Sequence, residues 1–227
     1  MSAGAPLHDS DSLPTLLLGG SFDPVHQGHV ALAALFSDLL APARLRLVPA
    51  GRPWQKRALQ ANPAQRVAML ALAFEAAALP FAIDRQEIER ADQGRPSFTI
   101  DTLRALRAEL GPQAPLVCLM GADQLQQLDS WRDWEQLFDF AHIAVAARPG
   151  AALDTLAPAV QAQLTRRAAS CAQLRSTPAG HTYLARTLAV DISATALRAS
   201  LQRGETPDSL MAPVVLDYIQ QQHLYKS

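Results

Sequence analysis

The chain has 227 residues, of which 49% are hydrophobic and 18% are charged, and these fractions are close to those of ordinary globular proteins. The length is ample for a hydrophobic core, so a disordered tail and a small disulfide-stapled scaffold are excluded. Lys and Arg number 20 against 21 Asp and Glu, and the resulting net charge of -1 excludes a polybasic protein that coats nucleic acid.

Apolar runs of strand length alternate along the chain with stretches of helical periodicity, which is the pattern of an α/β protein with a parallel sheet. Strands are predicted at residues 15–19, 44–48, 81–83, 116–120, 143–147 and 187–190. Helices are predicted at residues 29–40, 63–79, 99–109, 131–140, 195–203 and 214–222. Asn62 before Pro63 is typical of a helix start, and the segment 97–101 offers small polar caps for the next helix.

One domain is expected over residues 15–227, after an N-terminal extension at residues 1–14. Within it, the Ala-, Gln- and Thr-rich stretch 150–186 is expected to form an appended helix and loop. The two cysteines cannot build a disulfide framework, and the N-terminus lacks the features of a signal peptide, so a cytoplasmic location is expected. The apolar stretch 67–83 is too short to cross a bilayer and contains Glu75 and Pro80, so no membrane association is expected.

The most informative segment spans residues 17–30 and reads LLGGSFDPVHQGHV. Its apolar strand ends in two glycines and a helical run follows the histidines, which places this loop at the carboxyl end of the first strand, where open α/β sheets bind ligands. Glycines let a phosphate approach the backbone, and a helix N-terminus directs N–H groups at an anion. His26 and His29 can both donate hydrogen bonds to phosphate oxygens. The combination indicates phosphoryl or nucleotidyl transfer.

Each part of this segment also has an ordinary structural interpretation. Two glycines can form a tight turn, Asp23 before Pro24 often initiates one, and a single histidine is more often structural than catalytic. The His-x-x-His spacing is a weak metal signal because the usual third ligand is not adjacent. Only the joint arrangement after a first strand favours the functional interpretation.

A second segment, residues 191–198, reads DISATALR at another predicted strand-to-helix junction. Ser193 is a natural N-cap and Thr195 lies in the first helical turn, so helix capping alone would explain both hydroxyls. The alternative is an anion cradle, in which Arg198 adds a guanidinium suited to bidentate contact with phosphate. From these residues alone the two interpretations remain equally open.

The two segments resemble the signatures of the nucleotidyltransferase superfamily, GSFDPVHQGH at residues 20–29 and ISATALR at residues 192–198. Further matches resemble the bacterial nicotinate-nucleotide adenylyltransferases: RPSFTIDTL at 95–103, MGADQL at 120–125 with Trp131 and Trp134 after it, and VLDYI at 215–219 with Leu224 and Tyr225. These matches cover nearly the whole chain in the order of the family.

The resemblance implies a single Rossmann-like domain with a doubly wound, mostly parallel sheet and helices on both faces. It also implies that ATP and nicotinate mononucleotide (NaMN) are converted to deamido-NAD and pyrophosphate, with Mg²⁺ arriving on ATP. By the same resemblance, the residues that act in catalysis are His26, His29 and Arg198. Those that bind ATP are Gly20, Ser21, Phe22, Gly28, Lys56, Asp123, Ser193 and Thr195. Those that bind NaMN are Thr99, Trp131, which would stack on the nicotinate ring, and Arg148.

Several alternatives stay open in the sequence. The loop at 49–57 reads PAGRPWQKR, and Lys56 is chosen over Arg52 and Arg57 as its phosphate contact because it matches a basic residue of the family. Phe98 stands where the family often has Tyr, which removes a hydroxyl contact near the base. Rival functions are a phosphopantetheine or cytidylyl transferase, a class I aminoacyl-tRNA synthetase, and a nucleotide-binding module without turnover. The expected partners are small-molecule substrates, and neither nucleic acid nor a membrane is expected. The oligomeric state is undetermined.

Overall fold

The computed structural model describes residues 13–53, 59–147, 156–186, 192–207 and 209–226. Strands in these ranges are β1 (Thr15–Gly20), β2 (Arg44–Pro49), β3 (Ala82–Ile83), β4 (Leu116–Gly121), β5 (His142–Ala146) and β6 (Thr182–Ala185). Helices are α1 (Gln27–Leu39), α2 (Pro63–Ala76), α3 (Gln86–Asp92), α4 (Thr99–Leu110), α5 (Ala122–Leu125), α6 (Leu137–Phe140), α7 (Pro158–Arg166), α8 (Cys171–Ser176), α9 (Ala194–Gln202) and α10 (Pro213–Gln221).

The strands form one sheet in the order β3-β2-β1-β4-β5-β6, and every described pair is parallel. Leu18 of β1 aligns with Leu47 of β2 on one side and with Leu119 of β4 on the other. The chain builds outwards from β1 to β3 and then crosses to β4, so the strand order reverses between β1 and β4. Sheets of this kind bind ligands at that reversal, outside the carboxyl ends of the strands. The predicted doubly wound Rossmann-like sheet is confirmed.

Two hydrophobic clusters cover the two faces of the sheet, because successive side chains of a strand point to opposite faces. Leu16 and Leu18 of β1 belong to a cluster with buried residues of α1, α2, α9 and α10. Leu17 belongs to a second cluster with buried residues of α4, α5, α6 and α7. The helices therefore lie on both faces, as predicted, and the sheet fixes the positions of its carboxyl-end loops.

Two predicted helices differ from the structure. The helix predicted at 131–140 is wrong in its first half: Leu128–Ser130 and Trp134–Gln136 form 3-10 turns, and Asp133 between them has a left-handed φ of 51° that no α-helix accommodates. The helix predicted at 63–79 ends at Ala76 because Ala78 adopts a φ of 52°, two residues before a proline.

The assignment of residues 150–186 to a helix and loop is incomplete, since that stretch also contributes β6, which pairs with β5 at the edge of the sheet. A four-residue strand in an Ala-rich stretch gives little periodicity by which to recognise it. The strand predicted at 187–190 lies outside the described residues. So does most of the predicted extension at 1–14, which stays a prediction together with the boundary of the domain.

Of the two predicted helix starts, that of α2 is confirmed and the predicted cap of α4 is wrong. Asn62 caps α2 as predicted, accepting a hydrogen bond from the amide of Gln65 at 2.9 Å, and Pro63 is its first residue. Ser97 does not cap α4; its hydroxyl accepts hydrogen bonds from the amides of Gly51 and Arg52, both at 3.1 Å. Across the described ranges, no helix combines the length and the apolar character needed to cross a bilayer.

Candidate active site

The loop between β1 and α1 occupies the ligand-binding edge of the sheet. Gly20 is the last residue of β1, and α1 begins at Gln27, two residues earlier than predicted, because His26 adopts the extended conformation of an N-cap. The amide of Gln27 donates to the carbonyl of Leu210 at 2.8 Å. Gly28, predicted to bind ATP, follows it in the first turn, and the next amide, that of His29, donates to the carbonyl of His26 at 2.9 Å. This turn is suited to binding an anion.

The two histidines of the motif lie against each other. Their rings stack with centroids 3.7 Å apart, and the amide of His26 donates to Nδ1 of His29 at 3.2 Å. A neutral imidazole that accepts at Nδ1 carries its hydrogen on Nε2. His29 is half-buried, so its outer edge can still meet a ligand. The local fold thus fixes His29 as a hydrogen-bond donor through Nε2.

Phe22 packs against the ring of His29 from the interior of the protein. Its side chain is fully buried, its φ is 48°, and the edge of its ring meets the His29 ring with centroids 4.9 Å apart. Gly20 leaves the necessary space, because a Cβ there would lie 3.1 Å from the Phe22 ring. Ser21, between them, is only partly buried. The side chain of Phe22 therefore packs against His29, so only the backbone of Phe22 could contact a phosphate.

The second motif contacts this loop directly. Ser193 caps α9 through a hydrogen bond from the amide of Ala196 at 3.4 Å. Arg198, on the next turn, donates from Nη1 to the carbonyl of Asp23 at 2.6 Å and from Nη2 to the hydroxyl of Thr195 at 3.2 Å. Ser193 and Thr195 are exposed. The structure thus brings the two sequence motifs together, with hydroxyls, a guanidinium and a helix N-terminus on one side of the loop.

Sequence reasoning missed three residues that hold the loop. Asp23 is buried, and its carboxylate accepts a hydrogen bond from the hydroxyl of Tyr225 at 2.7 Å. Arg66 of α2 is fully buried and donates to the carbonyl of Ser21 at 2.8 Å. Burial lowers the pKa of Arg66, and the negative charge of Asp23 opposes that change. In the sequence Asp23 resembles a turn initiator and Arg66 an ordinary helix residue, so neither gives a local signal.

The remaining predicted residues lie around neighbouring loops. Asp123 is exposed in α5, directly after β4, and β4 is the strand next to β1 at the reversal of strand order. Thr99 is the first residue of α4 and Trp131 ends a 3-10 turn; both are half-buried. Lys56 and Arg148 lie outside the described residues, so their predicted contacts stay predictions.

Arg132, which the sequence analysis overlooked, links the neighbourhoods of Thr99 and Trp131. Its guanidinium lies over the ring of Phe98, 4.8 Å from the centroid. Phe98 and Arg132 line a surface groove of about 560 Å³ whose walls also carry Arg90, Arg95 and Arg104. The only sequence signal was the position of Arg132 next to Trp131. Neither Thr99 nor Trp131 lines this groove, but each is next in sequence to a residue that does, Phe98 and Arg132.

The donor set of the site suits phosphate groups. Among the residues that the structure describes, no group of three or more His, Cys, Asp or Glu side chains is placed to hold a metal ion. Around the loop after β1 the polar side chains of the two motifs carry imidazole, hydroxyl and guanidinium groups, which can donate hydrogen bonds. We therefore expect any Mg²⁺ to be held by phosphate oxygens and water.

Comparisons with known proteins agree with this geometry. Residues 17–200 match the family model described as cytidylyltransferase-like. Proteins named "Probable nicotinate-nucleotide adenylyltransferase" are similar along their length: that of Herminiimonas arsenicoxydans is 56% identical over 93% of this chain and 96% of its own. That of Laribacter hongkongensis is 46% identical over 93% and 94%.

Among solved structures, the Plasmodium falciparum nicotinic acid mononucleotide adenylyltransferase complexed with NaAD has a similar fold. Its TM-score is 0.68 at 19% identity, and the match covers 93% of this chain and 97% of that one. The same enzyme complexed with APC gives a TM-score of 0.67 at 18% identity, over 93% and 96%. At these identities the likeness concerns the fold, while the sequence relatives show the family. The chain belongs to the nicotinate-nucleotide adenylyltransferase family of cytidylyltransferase-like proteins.

Proposed function

We propose that this protein transfers the adenylyl group of ATP to NaMN, giving deamido-NAD (NaAD) and pyrophosphate. The observation that carries the proposal is the hydrogen bond from Arg198 to the Asp23 carbonyl, which joins the His26–His29 loop to the second anion-binding motif. A site with hydrogen-bond donors on two sides suits a triphosphate. NaMN is inferred to be the acceptor from the relatives that are named for this activity.

The reaction requires positioning more than covalent help from the protein. An oxygen of the NaMN 5′-phosphate attacks the α-phosphorus of ATP. The bond between that phosphorus and the oxygen bridging to the β-phosphate breaks, and its electron pair leaves with pyrophosphate. Negative charge grows on the phosphate oxygens during this step. We infer that His29 donates a hydrogen bond from Nε2 to such an oxygen, with His26 beside it.

On the ATP side, Ser193, Thr195 and Arg198 would hold the departing β- and γ-phosphates. Arg198 retains donors for this role, since two of its five N–H groups are engaged with Asp23 and Thr195. Asp123 would accept hydrogen bonds from the ribose. The backbone of Gly20, Ser21, Phe22 and Gly28 would line the path of the phosphates, with Lys56 as a further cation.

On the acceptor side, the nicotinate ring would lie at the start of α4, near the groove that Phe98 and Arg132 line. Trp131 would stack on the ring, and Thr99 at the start of α4 would lie near it, with Arg148 as a further contact. The four arginines that line this groove outnumber its two carboxylates, Glu89 and Asp101, and the resulting positive charge suits the carboxylate of nicotinate.

The metal ion, the cellular location and the partners follow from the same proposal. Mg²⁺ would arrive with ATP, and when bound it would neutralise charge on the phosphates. We propose a cytoplasmic location, since both cysteines are free in the structure and nucleotides are the substrates. Small molecules are the proposed partners, and no nucleic acid or membrane is required.

A test is to incubate the protein with MgATP and one acceptor at a time: NaMN, nicotinamide mononucleotide or phosphopantetheine. Chromatography of the dinucleotide and an enzymatic assay of pyrophosphate measure the two products. We expect both products in equal amounts with NaMN, and much more slowly with the other two. Preference for phosphopantetheine would contradict the proposed acceptor, and absence of pyrophosphate with all three would indicate a nucleotide-binding module.

A further inference from the structure

Asp23 joins three separate parts of the chain at the candidate active site. One carboxylate oxygen, Oδ1, accepts hydrogen bonds from the hydroxyl of Tyr225 at 2.7 Å and from the amide of Ala61 at 3.1 Å. The other, Oδ2, accepts from the amide of Gln60 at 2.8 Å. The side chain of Asp23 is 2% exposed, so water does not replace these partners readily. A buried carboxylate with three donors is a rigid attachment point.

The backbone on both sides of Phe22 is also held by buried or half-buried guanidinium groups. Arg66 donates to the carbonyl of Ser21 at 2.8 Å, and Arg198 donates to the carbonyl of Asp23 at 2.6 Å. Between these two bonds Phe22 has a φ of 48°, an uncommon conformation for a bulky residue. Its ring meets the ring of His29. The position of His29 is thus coupled mechanically to the position of Asp23.

Tyr225 reaches Asp23 from the last turn of the chain, after α10. Its side chain is 5% exposed, and both Tyr225 and His223 have positive φ values, 57° and 53°. The amide of Leu224 donates to the carbonyl of Ile219 at 3.0 Å, which closes the turn. Burial, the hydrogen bond and the charge of Asp23 raise the pKa of Tyr225, so the hydroxyl keeps its proton and donates it. This turn buries the phenol of Tyr225 against the carboxylate of Asp23.

We propose that Asp23 and Tyr225 are positioning residues for adenylyl transfer, which fix the Ser21–Asp23 backbone and, through Phe22, the ring of His29. The inference rests on the proposed function for its kinetic part. Neither residue needs to touch a substrate. Misplacing a catalytic group by about 1 Å can cost about 10²-fold in rate, so a looser Asp23 should reduce turnover without removing a substrate contact.

The first variant is Tyr225→Phe, which removes only the hydroxyl. Its matched control is Tyr218→Phe, on α10, where the ring packs against the same hydrophobic cluster and its hydroxyl makes no hydrogen bond to any described residue. Below the unfolding temperature of both variants, we expect kcat of Tyr225→Phe to fall about tenfold, with KM for ATP and NaMN within about twofold of wild type. Tyr218→Phe should match wild type. A lower unfolding temperature with unchanged kcat would mean that the contact is purely structural, and would overturn the proposal.

A readout that does not depend on activity is the NMR spectrum of the His29 ring, assigned by comparison with His29→Asn. We expect the ring signals of His29 to move in Tyr225→Phe and to stay in place in Tyr218→Phe. Unchanged signals in Tyr225→Phe would contradict the coupling. If wild type forms no product from any acceptor, the proposed function fails, whereas this spectrum still decides whether Tyr225 positions His29.

A second variant, Asp23→Asn, keeps the size of the side chain but offers one accepting oxygen instead of two. Either the Gln60 amide, or the Ala61 amide together with the Tyr225 hydroxyl, then loses its accepting oxygen. We expect a fall in kcat at least as large as that of Tyr225→Phe, again with little change in either KM. A rise in KM for ATP with kcat preserved would assign Asp23 to substrate binding and contradict the positioning role.

Discussion

Arg198 donates a hydrogen bond from Nη1 to the carbonyl oxygen of Asp23 at 2.6 Å, although 175 positions separate the two residues in the chain. This bond connects α9 with the loop that carries His26 and His29. Both elements bring hydrogen-bond donors to the carboxyl end of β1, next to the reversal of strand order. An overall charge of -1 is therefore compatible with a phosphate site, because the positive potential is local.

The tautomer of His29 can be tested with two substitutions of opposite design. In His29→Asn the new Oδ1 can replace Nδ1 as acceptor for the His26 amide, but the Nε2–H donor is lost. We expect kcat to fall about 10²-fold or more, as for other donors to developing negative charge, with little change in the unfolding temperature. Steady-state kinetics with MgATP and NaMN and thermal unfolding measure the two effects.

The counterpart is His29→Gln, which places an N–H₂ group near the position of Nε2 and gives up the capping acceptor. We expect it to recover part of the activity at the expense of stability. Near-normal turnover in His29→Asn would refute the role assigned to Nε2.

Arg198 is expected to bind phosphate and to anchor the loop at the same time. Lysine keeps the charge but cannot bridge Asp23, Thr195 and a phosphate as a planar guanidinium does. In Arg198→Lys we expect kcat/KM for ATP to fall about 10²-fold, since a hydrogen bond to a charged group contributes about 1.5–3 kcal/mol. Initial rates at varied ATP give this ratio.

Arg203→Lys is the matched control, because Arg203 follows the same helix and pairs with Glu205 on the exposed surface. An exposed pair of this kind contributes little. Equal losses in the two variants would show that Arg198 acts only through the stability of α9.

Trp131 and Trp134 are both half-buried against the same cluster, yet we expect different effects from their removal. In Trp131→Ala the stack on the nicotinate ring is lost, and since stacking of a base on an aromatic ring contributes about 1–3 kcal/mol, KM for NaMN should rise roughly tenfold. In Trp134→Ala the main effect should be destabilisation by about 2 kcal/mol. Kinetics and urea unfolding separate the two. If KM for NaMN is the same in wild type and Trp131→Ala, the nicotinate ring does not stack on Trp131.

His142 makes stability depend on pH. It is fully buried on β5, its Nε2 lies 2.8 Å from the Thr177 carbonyl, and its Nδ1 accepts from the amide of His181 at 3.1 Å. Burial lowers its pKa from 6.5 to about 4. Between these values the unfolded chain binds more protons than the folded one, so the free energy of unfolding decreases as the pH falls from 6.5 to about 4, by up to about 3 kcal/mol.

The measurement is urea unfolding of wild type and His142→Gln at about pH 7 and about pH 4.5. Glutamine does not titrate, so the variant should lose less stability than wild type between the two conditions. Identical losses would show that carboxylates, and not His142, dominate the acid sensitivity.

Local features of this site were predictable because short contiguous segments encode them. The strand, the glycines and the histidines of residues 17–30 specify a strand, a loop and a helix N-terminus, and the structure has all three. The second motif was predicted in the same way, and Ser193 caps its helix. That these segments could meet was indicated by the parallel sheet, inferred from alternating elements, and by the resemblance, which assigns both to one ATP site.

Features that depend on distant partners were not predictable. Tyr225 and Asp23 are 202 positions apart, and Arg66 is 45 positions from the carbonyl that it holds. Nothing in the neighbouring residues of either pair indicates the contact. The predicted helix at Trp131 failed for another reason: apolar spacing suggested a helix, but the left-handed Asp133 interrupts it.

Transfer at the α-phosphorus is the central claim, and labelled ATP tests it most directly. With NaMN as acceptor, ATP labelled at the α-phosphorus should pass its label to NaAD, whereas ATP labelled at the γ-phosphorus should pass its label to pyrophosphate. Chromatography resolves the two products. Label from the γ-phosphorus in the mononucleotide, or α-label released as free AMP with NaMN unchanged, would contradict adenylyl transfer.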